Sequence, residues 1–105
     1  MRNVNCQAAV EMKSKFGDRY IPVRVDLTEE SSIERAAQYI EESLSGARVD
    51  LLLNVAGILG GREGDRGPER SIQSIDRLWL ENTLQTNLIG HVMVSRAMIP
   101  FMKRW

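Results

Sequence analysis

The chain has 105 residues, with 14 acidic and 14 basic side chains and a formal net charge of zero. That length holds one domain at most, with a core that is adequate but not generous, and the charge balance argues against nucleic acid or an anionic membrane as a partner. No apolar run approaches the roughly 20 residues of a membrane span, the first six residues lack the apolar core of a signal peptide, and the single Cys6 permits no internal disulfide, which suits a reducing, cytoplasmic setting.

Residues 6–16 predict a short amphipathic helix, with Ala8, Met12 and Phe16 four apart and Gly17 closing it. Residues 21–25, Ile-Pro-Val-Arg-Val, read as a strand in which Pro22 is tolerable only at an entry or edge position. Asp26-Leu27-Thr28 follows, and then Ser31 and Glu34 at the spacing of a capping box. The helix they open places Ile33, Ala36, Ala37, Ile40 and Leu44 on one face, and Gly46 ends it.

Residues 49–53 predict the second strand. An uninterrupted aliphatic run of this kind is what a parallel strand covered on both faces looks like. Asn54-Val55-Ala56-Gly57 then stands at the strand end, where an open parallel sheet places its ligands. Residues 58–73 predict a flexible loop. Its Gly60, Gly61, Gly64, Gly67 and Pro68 match no phosphate-binding spacing, so a mobile surface loop or lid is favoured over a phosphate cradle.

Residues 74–103 predict a long helix with the stripe Leu80, Leu84, Asn87, His91, Val94 and Met98. Asn87 interrupts an apolar face, and a buried amide needs partners. Gly90 costs about 1 kcal/mol relative to Ala in a helix, which points to a close packing contact. His91 has no second nitrogen or thiolate at metal-ligand spacing, so packing on the stripe is favoured over a general-acid or ligand role, and no metal site is expected. Glu29, Glu30, Glu41 and Glu42 are adjacent pairs that do not face one another on a helix and read as solvated surface. Phe101 and Trp105 read as an exposed apolar patch left by a missing strand.

Taken together, Asp26-Leu27-Thr28, Asn54-Val55-Ala56-Gly57 and Asn87-Leu88-Ile89-Gly90 resemble the short-chain dehydrogenases/reductases in order and spacing. In that family the strand-end motif is Asn-Asn-Ala-Gly, from which Val55 is the one departure. The run Leu27-Thr28-Glu29-Glu30-Ser31 and the later Met98-Ile99-Pro100 also look like its C-factor-type branch. The resemblance implies an α/β fold over residues 1–105. It would be a partial Rossmann domain, a doubly wound parallel sheet in three α/β/α layers, with two strands and three helices of the parent.

The resemblance also implies roles. Asp26 would accept a hydrogen bond from the adenine amino group of NAD(P), and Leu27 would line the adenine pocket. Asn54, Ala56 and Gly57 would hold the strand end and let the cofactor ribose approach the backbone. Asn87 would be the helix Asn of the catalytic tetrad, positioning a water beside the active-site Lys. Arg2 would lean the preference toward NADP through its 2′-phosphate, although an exposed terminal Arg is the favoured reading.

Two family motifs are not in these residues. Nothing before Asn5 can hold the Gly-rich turn Thr-Gly-x-x-x-Gly-x-Gly, and Tyr-x-x-x-Lys is absent: Tyr20 is followed four residues later by Arg24, not Lys, and lies too early in the order to qualify. Arg is too weak an acid to serve in that proton relay. In the sheet order 3-2-1-4-5-6 the two strands would be the third and fourth, which are not neighbours. Buried orphan backbone groups cost about 1–3 kcal/mol each against a total stability of about 5–15 kcal/mol. The expectation is therefore a fragment of an NAD(P)-dependent oxidoreductase acting on a small carbonyl or alcohol. Its parent would be a homo-oligomer, and the piece alone would be inactive, and unstable or paired in a non-parental way. The alternative is a non-catalytic module associating through helix 74–103.

Overall fold

The computed structural model describes residues 3–44, 46, 48–59 and 71–103. Among them lie α1 (Gln7–Phe16), α2 (Glu30–Ser43), α3 (Arg77–Leu84) and α4 (Gly90–Met102). Gly17 ends α1 with φ +58°, a left-handed value that an L side chain resists, and donates its N–H to the Lys13 carbonyl. The face expected to be buried on α1 is not the one that is. Ala9 is buried, whereas Ala8, Met12 and Phe16 are exposed. Among the described residues α1 packs on no other α-helix, only on the 3-10 turn Gly17–Arg19 that follows it, so nothing selects that stripe.

The entry to α2 also differs from the expected capping box. The helix starts at Glu30 with Glu29 as its N-cap, and no side chain caps it. Ser32 acts in the opposite direction: it is buried, and its Oγ accepts the Asp26 N–H at 2.8 Å. Ile33 and Ala36 are buried as their spacing predicts, Ala37 and Ile40 are half-buried, and Leu44 is exposed. Gly46, at φ +75°, turns the chain after the helix.

The two strands expected at residues 21–25 and 49–53 do not form among the described residues. The sheet of the predicted three-layer fold is accordingly replaced by a helical architecture with two non-helical segments. A ladder needs a neighbouring strand for its N–H and C=O groups, and the third and fourth strands of a 3-2-1-4 order have none in each other. Residues 49–58 instead run along the last helix. The Val49 N–H donates to the Phe101 carbonyl at 3.2 Å. Leu51, Leu53 and Val55 are 71%, 67% and 85% exposed, with Leu52 half-buried between them. This is the alternation of an extended chain covered on one face, so the two-sided burial inferred from the aliphatic run is not realised.

The chain is helical from Arg77 to Met102, with a π turn at Gln85–Ile89 joining α3 to α4. α2 packs on α4, where Ile33 and Ala36 meet a core completed by Met98 and Phe101. Phe101 is thus a core residue rather than part of an exposed patch, and Trp105 lies outside the described residues. The radius of gyration is 16.3 Å, against about 13 Å for a compact chain of some 100 residues. The core is thin and much apolar surface stays in water.

Candidate functional site at the helix turn 87–91

Three polar side chains one helical turn apart meet three alternate residues of the segment that follows the aliphatic run. Asn87 accepts the Ile58 N–H on Oδ1 and donates from Nδ2 to the Ile58 carbonyl, both at 2.8 Å. His91 Nε2 lies 2.6 Å from the Ala56 carbonyl oxygen. Ser95 Oγ accepts from Asn54 Nδ2 at 3.0 Å and donates to the His91 carbonyl at 2.8 Å.

The two repeats match. Eight helical residues rise about 12 Å, and four extended residues span about 13 Å. Positions 87, 91 and 95 therefore stay in step with 58, 56 and 54, running antiparallel. Because a carbonyl only accepts, His91 donates through Nε2–H, and its buried Nδ1 has no hydrogen-bond partner among the described residues.

Asn87 sits in the π turn, where the Gly90 N–H reaches back five residues to the Gln85 carbonyl. Such insertions recur at functional sites because they re-aim a helix's polar groups. Gly57 lies against the same amide. A Cβ there would stand 3.3 Å from Asn87 Oδ1, so the small residue at the end of the motif makes room for Asn87.

The second motif meets the same helical turn. A Cβ at Gly90 would stand 2.7 Å from both the Cβ and the carbonyl oxygen of Leu27. Asp26 is anchored beside it. Its Oδ1 accepts from the Thr28 N–H at 2.9 Å and from the Thr28 hydroxyl at 2.7 Å, while its carbonyl takes the Glu29 N–H at 3.1 Å. These bonds fix the orientation of the Asp26 carboxylate at the turn.

The residues singled out in the sequence are thus gathered at one place. Leu27, Ala56, Gly57 and Asn87 converge on the turn from Asn87 to His91, with Asp26 and Asn54 one residue or one turn further out. Arg2 and the glycines from Gly60 to Gly67 lie outside the described residues. A cavity of about 450 Å³ opens beside Asp26, lined by Pro22, Arg24, Ser32, Arg35 and Tyr39 among others. Leu27, Asn54, Ala56, Gly57 and Asn87 do not line it.

Sequence reasoning missed Ser32 and Ser95, and read His91 as packing alone. The available signal was the Asn-x-x-x-His-x-x-x-Ser spacing opposite Asn-x-Ala-x-Ile. Among the described residues no group of three His, Cys, Asp or Glu side chains is placed to hold a metal ion. Nor, among the described residues, is any helix long and apolar enough to cross a membrane.

Comparison with known proteins gives a consistent picture. The family model described as short chain dehydrogenase matches residues 2–105. The short chain dehydrogenase pigC of Monascus ruber is 30% identical over 95 residues, covering 90% of this chain and 28% of that protein. Retinol dehydrogenase 16 of Mus musculus is 29% identical over 98 residues, covering 93% of this chain and 29% of that protein. Among solved structures, the NADPH-bound carbonyl reductase from chicken fatty liver superposes with a TM-score of 0.80 at 26% identity. That match covers 98% of this chain and 38% of the reductase. The chain therefore spans less than a third of the length of these curated relatives.

Proposed function

This chain belongs to the short-chain dehydrogenase family, and on that footing we propose that it is part of a longer NAD(P)-dependent oxidoreductase. It supplies one edge of the cofactor pocket and the helix Asn of the catalytic tetrad. The observation that carries this reading is the convergence of Leu27 and of Ala56, Gly57 and Ile58 on the single helical turn that holds Asn87 and Gly90.

The fit to a dinucleotide is partial and informative. Asp26 is a fixed acceptor suited to the adenine amino group, with Leu27 as the adjoining wall. The Asn54–Gly57 run presents a backbone with little side-chain bulk, suited to a ribose. When bound, NAD(P) supplies or accepts the hydride exchanged with a carbonyl or alcohol carbon of the substrate. The described residues contribute orientation at the cofactor edge, and Asn87 contributes an ordered place for a water of the proton relay. These 105 residues include neither the Gly-rich turn that would cradle the pyrophosphate nor Tyr-x-x-x-Lys, so the proposal assigns both to other parts of the full enzyme.

The preference between NAD and NADP rests only on Arg2. The C-factor-type placement rests on residues 27–31 and Met98-Ile99-Pro100, and the cytoplasmic setting rests on the lone Cys6. Homo-oligomerisation of the whole enzyme belongs to the same proposal.

Sequencing the transcript across both ends of this reading frame tests it. The expected result is an upstream strand with Thr-Gly-x-x-x-Gly-x-Gly and a downstream Ser and Tyr-x-x-x-Lys. The corresponding protein should oxidise NADPH in the presence of a small carbonyl compound. Start and stop codons that bound these 105 residues in the natural product would overturn it.

One observation favours a second reading, a non-catalytic module associating through the last helix. Leu88, Val92 and Ile99 recur at spacings of four and seven along it and are all exposed. Co-purification of the 105-residue chain with a full-length subunit, lost on Val92→Glu, would favour this reading over the enzyme fragment.

A further inference from the structure

We infer that His91 is a positioning residue that aims the Gly57 N–H at the open side of the Asn54–Gly57 segment, as a donor for an acceptor oxygen of a bound nucleotide. The inference deepens the cofactor reading above and rests on it for the identity of that acceptor. The alignment of the peptide itself rests on geometry alone.

The peptide between Ala56 and Gly57 is flanked by side chains too small to hold it. Asn54 is tied by its own side chain to Ser95, and Ile58 is held at both backbone groups by Asn87. Ala56 offers only a methyl group and Gly57 nothing, so neither side chain can fix the peptide plane between them. Gly next to a small residue leaves that plane free to rotate as a unit. His91 removes this freedom from the helix side, since its ring nitrogen takes the Ala56 carbonyl at 2.6 Å.

In a trans peptide the C=O and the following N–H point in opposite directions, and no cis bond occurs among the described residues. Pinning the Ala56 carbonyl toward α4 therefore turns the Gly57 N–H away from α4. Gly57 is exposed, and its donor has no Cβ of its own to shield it. The ring is committed to the Nε2–H tautomer to make this bond, and Nδ1 is buried without a partner among the described residues.

Isotope-labelled chain observed by NMR tests the inference. The His91 ring should show the Nε2–H tautomer alone. His91→Leu, which keeps bulk but removes the donor, should shift the Ala56 carbonyl carbon and the Gly57 amide. His91→Gln, whose amide nitrogen can donate from a similar reach, should restore both signals toward the wild-type positions. Mixed tautomers in the wild type would overturn the inference, as would a His91→Leu variant with both signals unmoved.

NADPH added at millimolar concentration should then shift the Gly57 amide in the wild type and in His91→Gln, and shift it less in His91→Leu. The first readouts contain no cofactor. A wild-type Gly57 amide that ignores NADPH, with tautomer and carbonyl effects intact, leaves the alignment by His91 standing and removes the nucleotide oxygen as the acceptor it serves, while the cofactor reading is decided on the full enzyme.

Discussion

Gly90 and Leu27 approach so closely that the helix has no room for a single methyl group: a Cβ at position 90 would stand 2.7 Å from the Leu27 carbonyl oxygen and 2.7 Å from its Cβ. This contact brings the Asp26-Leu27-Thr28 turn onto the helix that also holds Asn87. The glycine that weakens the helix by its own propensity is what allows the two parts of the candidate site to meet.

Gly90→Ala should therefore destabilise the chain although Ala is the better helix former. The propensity gain is about 1 kcal/mol. Over-packing costs about 1–3 kcal/mol, and here one of the obstacles is backbone that cannot rotate aside. A urea titration should give a lower midpoint with little change in slope. A midpoint at or above the wild-type value would show that the close approach is absent.

Asn87→Leu should release residue 58. Two hydrogen bonds are lost, each with a net value of about 0.5–1.5 kcal/mol, so a loss of about 1–3 kcal/mol is expected. Asn87→Asp keeps an acceptor for the Ile58 N–H but sets a carboxylate oxygen against the Ile58 carbonyl, where the amide had donated. Amide exchange at Ile58 should rank wild type slowest, Asp intermediate and Leu fastest. Equal rates in all three proteins would remove the clamp from the account.

Ser32→Ala should loosen the turn that fixes Asp26. The Asp26 N–H then loses the hydroxyl that accepts it at 2.8 Å, at a cost of about 1 kcal/mol, while the packing of Ile33 and Ala36 should persist. The expected signature is faster exchange of the Asp26 amide with α2 helicity retained in circular dichroism. Loss of the whole helix would mean that Ser32 serves the core rather than the turn.

Glu30→Gln is the contrasting case. Glu30 pairs with Arg96 at 2.7 Å and links α2 to α4, but both side chains are more than half exposed. Exposed ion pairs contribute below about 1 kcal/mol and are screened by salt. The variant should match the wild type in urea within that margin, and any difference should vanish at high ionic strength. A larger, salt-independent loss would show that the pair is a structural tie.

The helices and their C-terminal stops were legible in the sequence because their signals are local, whereas the start of α2 and the start of the last helical run were not. Gly17 and Gly46 stop helices where expected, and the 3–4 spacing of Ile33 and Ala36 marks the buried side of α2. The close packing of Gly90 was also legible; Asn87 is partnered as expected, but it is exposed rather than buried, as are Leu80 and Leu84 on the same stripe. The strands were not, because an aliphatic run states a propensity while a strand requires a neighbour. Leu51, Leu53 and Val55 have the composition of a buried strand and are exposed among the described residues. The roles of His91 and Ser95 were hidden for a related reason. Their partners are the Ala56 carbonyl and the Asn54 side chain, 35 and 41 residues away, so the matching spacings tell only once the two segments are set side by side.

The central claim is that these 105 residues hold one edge of a nucleotide pocket and an Asn of its proton relay, with the phosphate cradle and the acid–base pair supplied elsewhere. Titration calorimetry of the purified chain with NADPH and with NAD tests this most directly. The account predicts no binding in the micromolar range for either, because the Gly-rich turn and its helix N-terminus are not among these residues. Micromolar affinity for either cofactor would contradict it.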